Sequence, residues 1–494
     1  MGKLLCRILI AICLISVAAY AQDDGPPPEP LDIPPGAALS LPDAIELALQ
    51  KNPGLDAFAL DIRAADARMR QARLLPNPEL SMELEDIRWT RGPSERSRTS
   101  SFSVTGTGWE NEKAQGAHSG LSESEFTISI AQAIELGGKR SKRVAFAREE
   151  KQLVLWDYEA ARADVAAQAG RAFVSLLAAQ ENLELRKELM DLAGKVTHVA
   201  QLRVEAGKAS PLESTKAEVA LASTKVAYGQ ALHGLHAARV RLSATWGEIS
   251  PKFDKAEGTL KAAYALPEIE ALTRSIEENP DMARWASEIA FRDAGIKLER
   301  SQRFPDLTLE FGFKTVGQGS RSTRRYGVDT GGAPGWSRTD SRPSNYHDNT
   351  FTAGLSIPLP IFNRNQGNIA VAKAMAARAG KMRRHTEVLI HAALVQAYEE
   401  AAAALAAVEI LRGESLPKAT DVYHKTQIGY REGKFDYLDV LDAQRTLFDA
   451  RTSELDALAH FHLAAVDIER LTGQPLADTA EHTPLGDTEN SHEK

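Results

Sequence analysis

Cysteine is almost absent: the 494-residue chain carries two, Cys6 and Cys13, both within its first 21 residues. If that segment is removed, no disulfide and no thiolate metal site remains. Long apolar runs are missing too. Beyond the N-terminal segment none reaches the ~18 residues expected of a membrane helix. A membrane-inserted form must therefore be a barrel, the other structure that satisfies its own backbone in lipid. There is no excess of basic charge. The net charge of −8 argues against a nucleic-acid partner. The chain has no HExxH, no CxxC, no carboxylate-rich loop and no P-loop. Nucleotide hydrolysis, a resident metal and a cofactor are not expected, and neither is an enzyme.

The first 21 residues read as a secretory signal, with a basic n-region, a short apolar core and a small-residue cleavage site. Lys3 and Arg7 supply the charge, Ile8 through Val17 the core, and Ala19-Tyr20-Ala21 the site. Ile12 stands before Cys13, where a lipoprotein signal needs a small residue, so acylation is not expected. Cleavage removes two positive charges and no negative ones, taking the net charge from −8 to −10. Residues 22–38 form a Pro-rich extended arm.

The chain then says nearly the same thing twice, at a spacing near 226 residues. The segment from Asn52 matches that from Asn279, and Glu205 onward matches Arg431 onward. The unit is much longer than a solenoid repeat, which points to a duplicated half. The first copy spans 39–247, the second 279–473, with an irregular segment at 248–278 between them and a polar tail at 474–494. In the first copy Ser40 is placed to cap a short helix with Pro42 in its first turn. A second helix runs from Pro53 to about Leu74.

Each copy next changes period. Leu80, Met82 and Leu84 alternate with polar residues, as do Phe126, Ile128 and Ile130. In the second copy Leu307, Leu309, Phe311 and Phe313 alternate, as do Phe351, Ala353, Leu355 and Ile357. Period-two alternation gives a strand one apolar and one polar face. The strand pairs are expected near 78–88 and 125–136, and near 304–316 and 349–362. One such strand fits a sheet on a soluble core. Four in duplicated positions in an exported chain fit tilted membrane strands of ~9–11 residues. The long polar loops 88–124 and 317–349 suit the outer side of an outer-membrane barrel.

The rest is Ala-rich and helical, as hairpins over 139–247 and 365–473. Leu185, Leu189, Leu192, Val196 and Val199 follow coiled-coil spacing. So do Leu212, Thr215, Val219, Ala222 and Val226 after the turn, and Leu438, Leu441, Phe448 and Leu455 in the second copy. From about Gln366 to Tyr430 the pattern predicts one helix. His233 and His236 extend the second seam, with His462 at the place of His236 in the other copy. Packing along a helix interface is the expected role of these histidines, not metal ligation. Four strands are too few to close a membrane barrel alone, since eight is the practical minimum. Closure requires several chains, and three would supply twelve strands.

This pattern resembles the TolC family of outer-membrane efflux proteins over about residues 39–475. The resemblance is closest at Gly429-Tyr430-Arg431-Glu432-Gly433, Leu438-Asp439-Val440-Leu441-Asp442-Ala443 and Thr446-Leu447. It implies a mainly α fold with a membrane β-barrel: a homotrimer whose shared twelve-stranded barrel is continued by a long α-helical coiled-coil tunnel in the periplasm. The implied partners are a periplasmic adaptor (membrane fusion protein), an inner-membrane RND pump and outer-membrane lipid. Tyr430 would belong to the periplasmic gate, and Asp439 and Asp442, three apart on one helix face, would ring a cation constriction. Phe435 stands where well-known members carry an Arg, so their latch salt bridge cannot form; Lys434 and Arg431 are the nearest substitutes. The helical tips, with Gly207, Lys208, Ser210, Leu212, Gly433, Lys434 and Asp436, would meet the adaptor.

Two further motifs lie where strand becomes helix: Ala133 to Arg140, with Gly137 and Gly138, and Ile357 to Gly367, with Pro358 and Pro360. Glycine and proline suit a sharp redirection there. The wording of both motifs is similar to the CzcC branch, the outer-membrane partners of cobalt-zinc-cadmium pumps. The expected function is a passive efflux duct for heavy-metal cations. A TolC-like duct for drugs or secreted proteins and a periplasmic coiled-coil adaptor are the alternatives.

Overall fold

The computed structural model describes residues 36–85, 100–102, 109–111, 125–260, 266–318, 325–328, 334–337 and 346–476. The expected signal segment, most of the Pro-rich arm, most of both long loops and the tail beyond residue 476 lie outside them. The chain divides into two compact units. One is formed by the described parts of residues up to 69, 147–293 and 373 onward, the other by 70–146 and 294–372.

The first unit is helical. Strand β1 (Ala38–Leu39) precedes α1 (Leu41–Lys51). Ser40 caps α1, its Oγ accepting the Asp43 N–H, with Pro42 in the first turn as expected. Helix α2 is Pro53–Ala72, α3 Lys139–Glu205 and α4 Pro211–Ala244. Helix α3 has 67 residues and no internal proline, so it runs on the order of 100 Å. After β4 (Lys255–Ala256), which pairs in parallel with β1, come α5 (Ile269–Ser275) and α6 (Pro280–Ser301). Helices α7 (Gln366–Ile410), α8 (Leu416–Arg431) and α9 (Tyr437–Thr472) complete the second hairpin.

The duplication is written into the core. Leu39, Leu47, Phe173, Leu242, Trp246 and Leu260 form one buried cluster; Leu272, Ile276, Leu394, Phe461, Ile468 and Leu476 form its counterpart. The segment between the copies and the start of the tail are thus part of the core. Each copy is pinned by the asparagine of its Asn-Pro pair. Asn52 accepts the Gly54 and Leu55 N–H groups and donates to the Thr245 carbonyl. Asn279 accepts the Asp281 N–H and donates to the Arg470 and Leu471 carbonyls. The hairpins end alike, on Gly247 and Gly473 with φ of 81° and 70°, the left-handed conformation that glycine tolerates.

The expected single helix from Gln366 to Tyr430 is interrupted by a π-turn at Leu411–Ser415. Pro417 follows at once; it has no N–H to donate and its ring crowds the preceding turn, and a π-turn accommodates both. Composition alone would let one stretch of Gln366–Arg431 cross a bilayer; that stretch is rich in alanine. The seam on α3 is covered within the chain, with Leu185 and Val196 buried. The seam on α4 is not. Leu212, Val219 and Val226 are 59–65% exposed, and His233 and His236 are exposed with them. Helix α4 packs instead through Ala217, Ala231, Leu235, Ala238 and Leu242. The two histidines therefore do not pack within the chain, whereas His462 is partly buried, with Nε2 3.3 Å from the Leu260 carbonyl oxygen.

The second unit holds one antiparallel sheet of β2 (Glu79–Glu85), β3 (Glu125–Ile134), β5 (Leu307–Gln318) and β6 (Tyr346–Ser356), in the order β6-β5-β3-β2. The two copies meet at β3 and β5, where Ile130 faces Phe311 and Ile128 faces Phe313. The register puts Leu80, Met82, Ile130, Phe311 and Phe351 on one face. On the other lie Ser81, Ser129, Gly312 and Thr352, with Glu125 paired to Lys314. Gly312 is required, because a Cβ there would sit 2.5 Å from Thr352 Oγ1. Strand β6 stops at Ser356 and not near 362: Pro358 and Pro360 lack the N–H a ladder needs.

Candidate functional site

The turns joining α3 to α4 and α8 to α9 share one backbone. Gly207 and Gly433 have φ of 68° and 77°. The Lys208 N–H bonds the Arg203 carbonyl at 2.8 Å, and the Lys434 N–H bonds the Gly429 carbonyl at 2.8 Å. These bonds close each helix in the same way. Ser210 caps α4, accepting the Leu212 N–H at 3.3 Å, and Asp436 caps α9. Gly207, Lys208, Ser210, Leu212, Gly433, Lys434 and Asp436 are all exposed.

The side chains behind the turns form one cluster. Tyr430 is 2% exposed, packed among Val196, Ala200, Ala217, Tyr437 and Val440. The Arg203 guanidinium lies 4.3 Å from its ring centroid, and Nη1 donates to the Tyr430 carbonyl at 2.7 Å. The Tyr430 hydroxyl donates to Glu213 at 2.5 Å. Burial pushes that hydroxyl well above the usual phenol range; the Glu213 carboxylate adds to the shift and Arg203 opposes it. A cation over a buried ring and a charge-assisted bond thus clamp α3 and α4 onto α8 and α9.

Sequence reasoning located Tyr430 but not its partners. Of the two cations it offered in place of the missing arginine, Lys434 pairs with Glu432 at the surface. The guanidinium at the tyrosine is Arg203, from the other copy of the repeat. Phe435 lies over Gly429, where a Cβ would come within 2.2 Å of its ring. Asp439 and Asp442 are both exposed, but they differ. Asp439 Oδ2 accepts the Asp436 N–H at 2.9 Å and completes a capping box. Asp442 has no side-chain partner among the described residues.

The strand-to-helix junctions are built as expected at Gly137 and Gly138, both with φ of 69°. A Cβ on Gly137 would strike Phe304 at 2.7 Å. Lys139 Nζ binds Asp306 at 2.7 Å, and Arg143 binds Glu135. At the other junction Pro358 and Pro360 end the ladder, but Gly367 does not make the turn. It lies in the first turn of α7 with open space around its Cα. Asn365, at φ 57°, takes the left-handed conformation and is held by bonds from its Nδ2 to the Glu299 carbonyl and carboxylate. Asparagine is the residue after glycine that best tolerates this region. Among the described residues no group of acidic, histidine or cysteine side chains has the arrangement of a metal site.

Comparison with known proteins agrees with this geometry. The model of the family described as outer membrane efflux protein matches residues 44–248 and 271–474, one match per copy. The chain is 33% identical over 436 residues to the cobalt-zinc-cadmium resistance protein CzcC of Cupriavidus metallidurans, covering 88% of this chain and 90% of that protein. It is 28% identical to the nickel and cobalt resistance protein CnrC of the same organism, covering 76% and 75%. Among solved structures, the channel-forming protein CusC superposes with a TM-score of 0.66 at 16% identity, covering 91% of this chain and 98% of that one.

Proposed function

The chain belongs to the outer membrane efflux protein family, and from that premise we propose that it is the passive exit duct of a three-part RND-type pump for heavy-metal cations. The observation that carries this reading is the four-stranded sheet. One face is apolar and exposed, with Phe351 at 84% and Leu355 at 65%. Its edge strands, β2 and β6, have no partner on their outer sides among the described residues. Hydrocarbon does not tolerate such edges, so the sheet belongs in a barrel completed by other copies; three copies give twelve strands. The uncovered seam on α4 supports the same assembly, because a coiled-coil stripe is stable only against a partner. The metal cargo rests on the similarity to CzcC and CnrC.

In this duct the helical turns are the periplasmic end. The Arg203–Tyr430–Glu213 clamp holds the hairpins of one chain together, and Asp439 and Asp442 repeat around the axis as carboxylate rings that favour cations. An adaptor docks on the exposed tips, and an inner-membrane pump supplies the energy. Deletion should make cells sensitive to cobalt, zinc or cadmium. In planar bilayers the assembly should conduct with cation preference, and replacing Asp439 and Asp442 by Ala should lower that preference several-fold. Drug sensitivity without metal sensitivity would sink the metal reading, and unchanged selectivity would sink the acidic ring.

A further inference from the structure

The apolar face of the sheet does not stop at the last ladder pair. Where strands pass into helices, at the end opposite the long loops, Leu75, Leu136, Phe304, Leu359 and Phe362 are exposed, Phe362 at 89%. They lie just past the ends of the strands that carry the apolar face of the proposed barrel. The charge around them is one-sided. The carboxylates at the turns are engaged internally, Glu135 by Arg143, Asp306 by Lys139 and the Leu136 N–H, and Glu299 by Asn365, while the exposed Glu79 at the start of β2 lies on the polar face with Ser81. The cations are in surplus. Arg73, Lys142, Arg303 and Arg364 are exposed and enter no ion pair among the described residues.

We propose that this collar is a binding surface for anionic phospholipid headgroups in the periplasmic leaflet. The inference rests on the barrel reading above. Its chemistry is that of an interfacial anchor: apolar side chains enter the acyl boundary while arginines reach phosphate. A second copy of the chain is the poorer occupant, because two such collars set against each other would repel and the sheet lacks partners at its edge strands β2 and β6, not at this end. Each basic residue held at an anionic surface strengthens binding about fivefold, so three of them give a preference large enough to read.

The test is native mass spectrometry of the delipidated assembly titrated with phosphatidylglycerol or phosphatidylethanolamine. The wild type should retain phosphatidylglycerol preferentially. Combining Arg73→Gln, Arg303→Gln and Arg364→Gln should weaken that retention at least about tenfold and leave phosphatidylethanolamine unchanged. Lysine at the same three positions should keep it, which controls for folding. Equal retention of both lipids, no change in the glutamine variant, or loss in the lysine variant would overturn the proposal. So would dissociation of the subunits in Phe362→Ser, which would make the collar a contact between copies. Metal sensitivity of a deletion strain is read independently, so failure here is distinct from failure of the efflux reading.

Discussion

At the turn of the first copy the residue one helical step behind the glycine is Val204, preceded by Arg203. At the turn of the second copy the equivalent positions hold Tyr430 and Gly429. Three residues past the helix cap, the first copy has Glu213 and the second Asp439. Backbone geometry is the same in both turns; the acid is used differently. Asp439 bonds back to its own cap, while Glu213 reaches across to Tyr430. Duplication therefore supplied two equal scaffolds, and divergence at a few positions turned one into the binding partner of the other. The same holds at the far end of the hairpins. Ser243, buried, and Glu469, partly buried, occupy matching positions, one a hydroxyl bonded to the Val240 carbonyl and the other a carboxyl bonded to the Leu476 N–H.

The widest gap between the copies should appear at the paired asparagines. Asn279 is fully buried and Asn52 is not. Asn279→Ala strands buried carbonyls and should cost about 3 kcal/mol, against about 1–2 kcal/mol for Asn52→Ala. Denaturation followed by circular dichroism measures both, and equal losses would mean that burial does not separate them.

Next is the partly buried acid. Burial raises the Glu469 carboxyl from 4.5 to about 7, against the pull of the Leu476 N–H. The folded state then holds its proton more tightly than the unfolded one, so stability is full below about pH 4.5 and falls as pH rises through 7. Glu469→Gln should abolish that slope and raise stability at pH 8 by up to about 3 kcal/mol. Thermal melts between pH 4 and 8 provide the check, and a slope that persists in the variant would place the titration elsewhere.

The smallest effect on stability lies at the clamp. Tyr430→Phe should cost about 1 kcal/mol, and Arg203→Ala slightly more, because it removes both the bond and the ring contact. Both should raise single-channel conductance, whereas Lys434→Ala should not. Conductance that responds to Lys434 and not to Arg203 would return the latch to the second turn.

Much of this was legible in the chain. The Ser40 cap, the strand faces and the Gly207 and Gly433 turns follow from local chemistry, because each depends on residues within one or two turns of itself. Arg203 did not, since its role depends on which face of α3 meets a tyrosine 227 residues later. The exposed seam of α4 was legible as a stripe but not as an uncovered one: spacing marks an interface without saying which chain supplies the other side. Gly367 misled because glycine is the usual residue for a left-handed turn, and here Asn365, two residues earlier, takes it.

The sheet of β6-β5-β3-β2 has a consequence for how the protein is made. In the proposed barrel its outer strands complete their hydrogen bonding only against other copies, so a single chain would have no stable inserted form to wait in. Subunits of that barrel would have to meet before or during entry into the bilayer, and until then the edges would be open to wrong pairing and need shielding. A copy with a faulty edge strand would also spoil the ladder of its neighbours, making such a defect dominant over normal chains in the same cell.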